Sequence, residues 1–194
     1  MIGRTWHLRE PEMALTQIDC FFSFRAVASY LVGGHITALA KAANLRLRFY
    51  PLELADEHDD PATLPGHNGA RLPVVTAPSH RTAPITLPAG MIIASQARNL
   101  ASEQLTAATL AALWRDNHDI SDPAIMVPLA DQLGMDGALL MCEALEADTQ
   151  MILTEQQQHA ASIGISAAPS YLLDGDIFSG SDGLNRLSQR LMQQ

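Results

Sequence analysis

Two stretches near the start of the chain alternate between apolar and polar residues, and a helical stretch separates them. Every second residue of segment 18–24 is apolar from Ile18 onwards, which predicts a strand. Residues 26–43 are rich in Ala and Leu and predict a helix. Residues 45–50 alternate again and end at Pro51, which predicts a second strand. A strand, a helix and a strand in this order predict a βαβ unit with parallel strands.

The middle of the chain has helical spacing. Residues 53–80 have the Asp, His, Pro and Gly composition of a loop. Helices are predicted after it over residues 91–100, 104–117, 123–133, 136–149 and 154–163. Asp122 before Pro123 is a typical helix start, and Gly134 a typical helix end. About half of the chain is therefore predicted to be a helical insertion.

The last part of the chain returns to strands. Residues 171–173 and 177–178 are predicted strands, and Asp174-Gly175 between them is a typical hairpin turn. A final helix carries leucines on one face over residues 184–191. The order βαβ, helices, ββα predicts an α/β protein with a thioredoxin-like fold and a helical domain inserted between its two halves.

This interpretation divides the chain into three parts. Residues 1–12 are interpreted as an N-terminal extension without a functional role. Residues 13–53 and 152–194 are assigned to the thioredoxin-like domain, and residues 54–151 to the inserted helical domain.

Composition limits the kinds of partner. The chain is 47% hydrophobic and 17% charged, and its net charge of −9 repels nucleic acids and anionic membranes. A small-molecule substrate is therefore the expected ligand. The only cysteines, Cys20 and Cys142, each lie in an apolar stretch, which favours reduced, buried thiols and a cytoplasmic location.

Four segments resemble a known family. Residues 18–31, IDCFFSFRAVASYL, are similar to the strand-to-helix junction of 2-hydroxychromene-2-carboxylate isomerases and kappa-class glutathione transferases, DsbA-like proteins in which it typically reads SFRSPYSYL. The other matching segments are DISDP at 119–123, GISAAPSYLLDG at 164–175 and FSGSDGL at 178–184. The resemblance covers nearly all of the chain after Met13.

This resemblance implies glutathione as cofactor. In the family, the cysteinyl backbone of glutathione pairs with the residue before a cis-proline, which is Ala168 before Pro169 here. The γ-glutamyl end is held by the pair that opens the last helix, here Ser181 and Asp182. A helix N-terminus beside an acidic side chain suits the carboxylate and the ammonium of that end.

One position departs from the family pattern. The active-site serine, which would hydrogen-bond the glutathione sulfur, corresponds to Ala26, and the next residue of the pattern, a proline, corresponds to Val27. Ser29, Arg25 and Ser23 are the nearby candidates for a catalytic role. For each there is a structural alternative: Ser29 bonding back to its helix, Ser23 ending the strand and Arg25 being a solvated charge.

The resemblance implies a glutathione-dependent isomerase or transferase that acts on a hydrophobic aromatic organic acid, and a homodimer. The alternative is a weakly active or inactive protein that binds glutathione or a peptide. Aromatic residues that could line a substrate pocket are Tyr30, Phe49, Trp114 and Tyr171; packing in the core is the alternative role.

Other chemistry has less support in the sequence. Disulfide exchange needs a C-x-x-C pair at the start of the first helix, but those positions hold Ala26 and Ser29. The acidic cluster 57–60 lies in loop sequence without further nearby ligands, so no metal site is predicted. The turn sequence 66–69 lacks the Lys and Ser or Thr of a phosphate-binding loop.

Overall fold

The computed structural model describes residues 17–54, 75–180 and 182–193, which form four strands and seven helices. In chain order they are β1 (Gln17–Phe22), α1 (Val27–Ala42), β2 (Arg46–Pro51), α2 (Thr86–Ala97), α3 (Ser102–Trp114), α4 (Pro123–Gln132), α5 (Gly137–Ala144), α6 (Ala147–Ser162), β3 (Ser170–Leu173), β4 (Asp176–Ser179) and α7 (Gly183–Met192). The predicted extension 1–12, the acidic cluster 57–60 and the turn 66–69 lie outside the described residues.

The strands form one sheet in the order β2-β1-β3-β4. β1 and β2 are parallel, whereas β3 is antiparallel to both β1 and β4. The parallel βαβ unit and the β3–β4 hairpin confirm the predicted thioredoxin-like fold.

Successive side chains of β1 point to opposite faces of the sheet, and each face has its own apolar cover. Ile18, Cys20 and Phe22 belong to the main core, which includes residues of α1, α7 and the inserted helices. Phe21 packs with Ala160 at the end of α6 in a smaller cluster on the other face. This period of two is what allows one strand to be buried on both sides.

The helices of the middle region pack closely on one another and on the sheet edge. α2 and α5 approach so closely at Gly90 that a Cβ atom there would lie 2.5 Å from the carbonyl oxygen of Ala144. The side-chain amide of Gln96 accepts a hydrogen bond from the backbone N–H of Phe49 (2.9 Å) and donates one to its C=O (3.0 Å). Gln96 thereby pairs with the edge strand β2 as a further strand would, and fixes α2 against the sheet.

Two helix boundaries differ from the predicted ones. α2 begins at Thr86 rather than at 91, and Pro88 lies in its first turn, where the missing N–H of proline is harmless. The segments predicted as 136–149 and 154–163 are instead α5 and α6, which are separated at Leu145 and Glu146 without a Gly or Pro to mark the break. α6 runs continuously across the domain boundary predicted at 151/152.

The local start and stop signals are confirmed. The Asp122 carboxylate accepts a hydrogen bond from the Ala124 N–H at the start of α4. Gly134 follows α4 with a φ of 76°, and the hairpin turn has positive φ at Asp174 and Gly175, 50° and 83°. These conformations are accessible to Gly and tolerated by Asp, which is why the signals are readable in the sequence.

Both cysteines are unbridged, as predicted, but only one is buried. Cys20 is 3% exposed in the core, and burial raises the pKa of its thiol. The prediction that Cys142 is buried is wrong, because α5 turns Leu140 and Ala144 inward and leaves Cys142 on its solvent side. A short apolar run does not reveal which face of a helix is covered.

Candidate functional site

The junction between β1 and α1 is the first part of the candidate site. Ala26 is the N-cap of α1 in an extended conformation, with no side-chain cap, and its own N–H donates to the Ser23 carbonyl at 3.3 Å. In the described part of the chain, the N–H groups of Val27 and Ala28 have no hydrogen-bond acceptor. Unpaired amides at a helix start, together with the helix dipole, favour an anion or another acceptor.

The two predicted serines take part in the structure of this junction. The Ser29 hydroxyl accepts a hydrogen bond from the Ser23 N–H at 3.2 Å, and the Ser23 hydroxyl accepts one from the Arg25 N–H at 3.1 Å. Both side chains are buried, at 3% and 1% exposure. Ser23 and Ser29 therefore shape the turn that leads into α1.

Arg25 is not a solvated charge. Its guanidinium forms an ion pair with Glu53, and its side chain is 23% exposed. Its Nε atom is buried and has no acceptor among the residues that the structure describes. The Arg25 carbonyl accepts a hydrogen bond from Nε of Arg81 at 2.9 Å. Glu53 and Arg81 were not among the predicted site residues, because loop composition offers no signal for such distant contacts.

Trp114, at the end of α3, closes the same junction. Its indole N–H donates to the Phe24 carbonyl at 2.9 Å, and the Arg81 guanidinium lies 6.0 Å from the centre of its ring. Ala26 is consequently only 1% exposed and Val27 is fully buried. Two consecutive carbonyls of the junction are thus held by side chains from the middle region of the chain.

The second part of the candidate site lies around Pro169. The Ala168-Pro169 peptide bond is cis, which confirms the expectation from the resemblance. Ala168 is half-buried, and its backbone N–H and C=O have no partner within the described segments. Pro169 and Ser29 line one small cavity, so this strand start adjoins the first turn of α1.

The third part is the start of α7. Asp182 is the N-cap residue, is exposed, and caps no backbone N–H; its carboxylate accepts a hydrogen bond from the Asn185 side chain at 2.8 Å. Ser181, its predicted partner, lies outside the described residues. An uncapped helix start with an exposed carboxylate can receive both an anionic and a cationic group.

The four aromatic residues that could line a pocket separate into two groups. Tyr30 and Trp114 line a cavity of about 780 Å³ beside α1, together with His35 and residues 75–79. Phe49 and Tyr171 line the small cavity that Ser29 and Pro169 share. Only the first pair borders a space large enough for an organic molecule.

Metal and redox chemistry find little support in the described residues. Within ranges 17–54, 75–180 and 182–193 there is no group of three His, Cys, Asp or Glu side chains that could hold a metal ion. Burial raises the pKa of the Cys20 thiol, so this cysteine is a poor nucleophile.

Among the residues that the structure describes, no helix combines the length and apolar character needed to cross a membrane.

A thioredoxin-like sheet, a helix that begins at the β1–α1 junction and a cis-proline before β3 define a protein of the thioredoxin-fold class. The sequence matches the family of DsbA-like thioredoxin domains over residues 17–192. The chain belongs to this family.

Solved structures support the same fold. A 2-hydroxychromene-2-carboxylate isomerase is 15% identical, with a TM-score of 0.73 over 92% of this chain and 95% of that one. The cytosolic disulfide reductase DsbM from Pseudomonas aeruginosa, solved with GSH, is 10% identical, with a TM-score of 0.65 over 91% and 99%. DsbA1 from Neisseria meningitidis is 12% identical, with a TM-score of 0.58 over 96% and 89%.

At these identities the similarity establishes the fold alone. Comparison with curated protein sequences gives no significant match.

Proposed function

We propose that this protein binds glutathione and acts as a glutathione-dependent isomerase or transferase on a hydrophobic aromatic organic acid. The observation that carries the proposal is the presence of unpaired backbone groups at two adjoining places. In the described part of the chain, these are the N–H groups of Val27 and Ala28 at the start of α1, and the N–H and C=O of Ala168 beside it. Native proteins rarely leave such groups without a partner unless a ligand or water supplies one.

The residues present fit the two ends of glutathione. The unpaired backbone of Ala168 can exchange hydrogen bonds with a peptide-like backbone, as an edge strand does. At the start of α7, the backbone N–H groups suit the γ-glutamyl carboxylate, and the exposed carboxylate of Asp182 suits the ammonium. None of these contacts depends on the side chain at position 26.

The part of the site that would face the glutathione sulfur offers fewer hydrogen-bond donors than the family pattern does. Bound glutathione would supply the thiolate that adds to the substrate and leaves again after rearrangement. The amides at the start of α1 can stabilise negative charge on sulfur, whereas the Ala26 methyl group cannot donate a hydrogen bond. We therefore expect slow turnover, because a thiol with an ordinary pKa of about 8.5 is only a few per cent ionised at neutral pH.

The cavity beside α1 suits the organic substrate. Its volume of about 780 Å³ and the aromatic side chains of Tyr30 and Trp114 match the size and lining of small-molecule sites. Trp114 also hydrogen-bonds the Phe24 carbonyl, so the same residue borders both the cavity and the β1–α1 junction. This contact favours an aromatic acid placed next to the proposed sulfur position.

A second function is favoured by the burial of the junction. Ala26 is 1% exposed and carries no hydroxyl, so a protein that binds glutathione or a peptide without turnover also agrees with the geometry. Incubation with glutathione and either a chlorinated nitrobenzene or a hydroxychromene carboxylate, followed by absorbance, separates the two functions. A rate above that of glutathione alone supports the enzyme.

The binding step is tested by calorimetry with glutathione and with S-methylglutathione. We expect both to bind, because the contacts at Ala168 and Asp182 do not involve the sulfur. In a parallel ¹⁵N–¹H NMR titration, the amides of Val27, Ala168 and Gly183 should shift, while those of α4 should not. Absence of binding by both ligands would contradict the glutathione-dependent enzyme and the glutathione-binding protein alike.

We also propose a cytoplasmic location and a homodimer. The exposed, unbridged thiol of Cys142 suits a reducing compartment. Light scattering of the purified protein would measure the oligomeric state, and a monomer at all concentrations would contradict the dimer.

A further inference from the structure

The hydroxyl group of Tyr171 lies in the interior of the protein. Tyr171 lies opposite Cys20 in the sheet and is 0% exposed, and its hydroxyl has no hydrogen-bond partner in the described part of the chain. Burial raises the pKa of this phenol well above its ordinary value, so the group keeps its proton at physiological pH. Buried hydroxyls in native proteins are almost always satisfied by the protein or by ordered water.

Tyr171 lines a cavity of about the size of one water molecule. The cavity lies between α1, α3 and the sheet, measures about 10 Å³, and is also lined by Ser29, Thr106 and Pro169. A space of roughly 10–15 Å³ holds one water molecule, and a buried water makes about three hydrogen bonds. Any organic ligand is too large for this cavity.

Besides Tyr171, other residues that line the cavity carry groups able to hydrogen-bond a water molecule. The Ser29 hydroxyl accepts from the Ser23 N–H at 3.2 Å, which leaves its own proton available. The Thr106 hydroxyl donates to the Ser102 carbonyl at 2.8 Å, which leaves its lone pairs available. Cys20 also lines the cavity, and its protonated thiol is a weak donor and acceptor.

We propose that this cavity is the binding site of a single internal water molecule, which accepts a hydrogen bond from the Tyr171 hydroxyl and is bonded in turn to the Ser29 hydroxyl. The water would then connect β3 to the first turn of α1 and, through Ser29, to the Ser23 amide. Tyr171 is thus a positioning residue that holds together two parts of the candidate site far apart in sequence. This inference does not depend on glutathione binding.

The substitution Tyr171→Phe tests whether a water molecule is bound, because the direction of the change in Tm differs between the two cases. If water satisfies the hydroxyl, removing it loses a buried hydrogen bond, and we expect Tm to fall by about 2–4 °C for a chain of this size. If the hydroxyl is unsatisfied, its removal raises Tm, which would overturn the proposal. Tyr30→Phe, in the larger cavity beside α1, is the matched control and should leave Tm nearly unchanged.

Two further measurements test the link to Ser29. Because both hydroxyls share one water, Tyr171→Phe combined with Ser29→Ala should lower Tm by less than the sum of the single changes. Hydrogen exchange of the Ser23 amide should be faster in Tyr171→Phe and unchanged in Tyr30→Phe. Additive Tm shifts or an unchanged Ser23 amide would contradict the link.

A high-resolution crystal structure of the wild-type protein gives a test that needs no variant. We expect one water within about 3.2 Å of both the Tyr171 and the Ser29 hydroxyl oxygens. A direct protein partner for the Tyr171 hydroxyl, or a cavity without electron density, would overturn the proposal.

Discussion

The start of α1 and the segment at Ala168 belong to one candidate site, but they differ in what covers them. At the start of α1, side chains from the middle region hold the carbonyls of Phe24 and Arg25, and Ala26 is 1% exposed. Ala168 is half-buried, and its backbone groups have no partner among the described residues. The Ala168 backbone that we propose for binding is therefore partly accessible, whereas the position that we propose for chemistry is closed and has no hydroxyl.

This difference separates affinity from catalysis. Contacts at Ala168 and Asp182 can hold a glutathione molecule whatever the residue at position 26. Rate depends on interactions that strengthen in the transition state, and these involve the sulfur at the start of α1. Variants in the two regions should consequently change different measured quantities.

The largest effect is expected from Ala26→Ser, which places a hydroxyl beside the unpaired amides of α1. A donor to the thiolate lowers its pKa, so the rate at neutral pH should rise by about ten- to a hundredfold, less than for a well-placed oxyanion donor because sulfur is larger and softer. Steady-state rates between pH 5 and 9 should show the profile moved towards acid, with little change in glutathione affinity. A serine variant that binds glutathione with an unchanged thiol pKa would show that the sulfur lies elsewhere.

The next largest effect is expected from Trp114→Phe, which tests what keeps the junction closed. The Phe24 carbonyl would lose its indole donor, at a cost of about 1–3 kcal/mol in the free energy of unfolding. Hydrogen exchange of the Val27 amide should become faster as the junction opens.

Arg115→Gln is the matched control for Trp114→Phe. It changes the neighbouring exposed residue, which pairs with Asp116, and should alter neither quantity. Slow exchange at Val27 in Trp114→Phe would mean that other contacts close the junction.

A smaller effect is expected from Asp182→Ala, which changes an exposed residue of the proposed binding region. Exposed charge pairs contribute roughly 0.2–1 kcal/mol, so glutathione affinity should fall by about 1.4- to fivefold while Tm stays the same. Asp148→Ala also removes a carboxylate from the first turn of a helix, here α6, and serves as the control in the same calorimetric titration. Equal affinities for the two variants would remove Asp182 from the proposed site.

The smallest effect is expected at Asp19, on the sheet face away from α1. Burial raises the pKa of its carboxyl above 3.8, while a hydrogen bond from Gln17 and the charge of Arg48 oppose the shift. The folded state therefore binds more protons than the unfolded chain between 3.8 and the raised pKa, and stability falls as pH rises through that window.

Asp19→Asn removes this dependence, so its Tm relative to wild type should increase from pH 3 to pH 7. A difference in Tm that is constant with pH would mean that folding does not shift this pKa, and a difference that decreases would mean that the shift has the opposite sign. This measurement also supplies the stability baseline for the pH–rate profile of Ala26→Ser.

Features that depend on near neighbours in the chain could be predicted from the sequence. Alternation predicted β1 and β2, Asp174-Gly175 predicted the hairpin, and Asp122 predicted the start of α4. It also showed that position 26 has no hydroxyl. These features follow from backbone preferences and side-chain periods, which act over a few residues.

How the site is covered depends on contacts between distant parts of the chain. Trp114 and Arg81 bond to the junction across 90 and 56 residues of sequence, and no local pattern marks either contact. No local pattern predicts that the Tyr171 hydroxyl lacks a partner among the described residues. Nor does one predict that the side chain of Cys142 is exposed. Burial and hydrogen-bond partners depend on which distant surfaces pack together, and that information becomes readable only when the chain is folded.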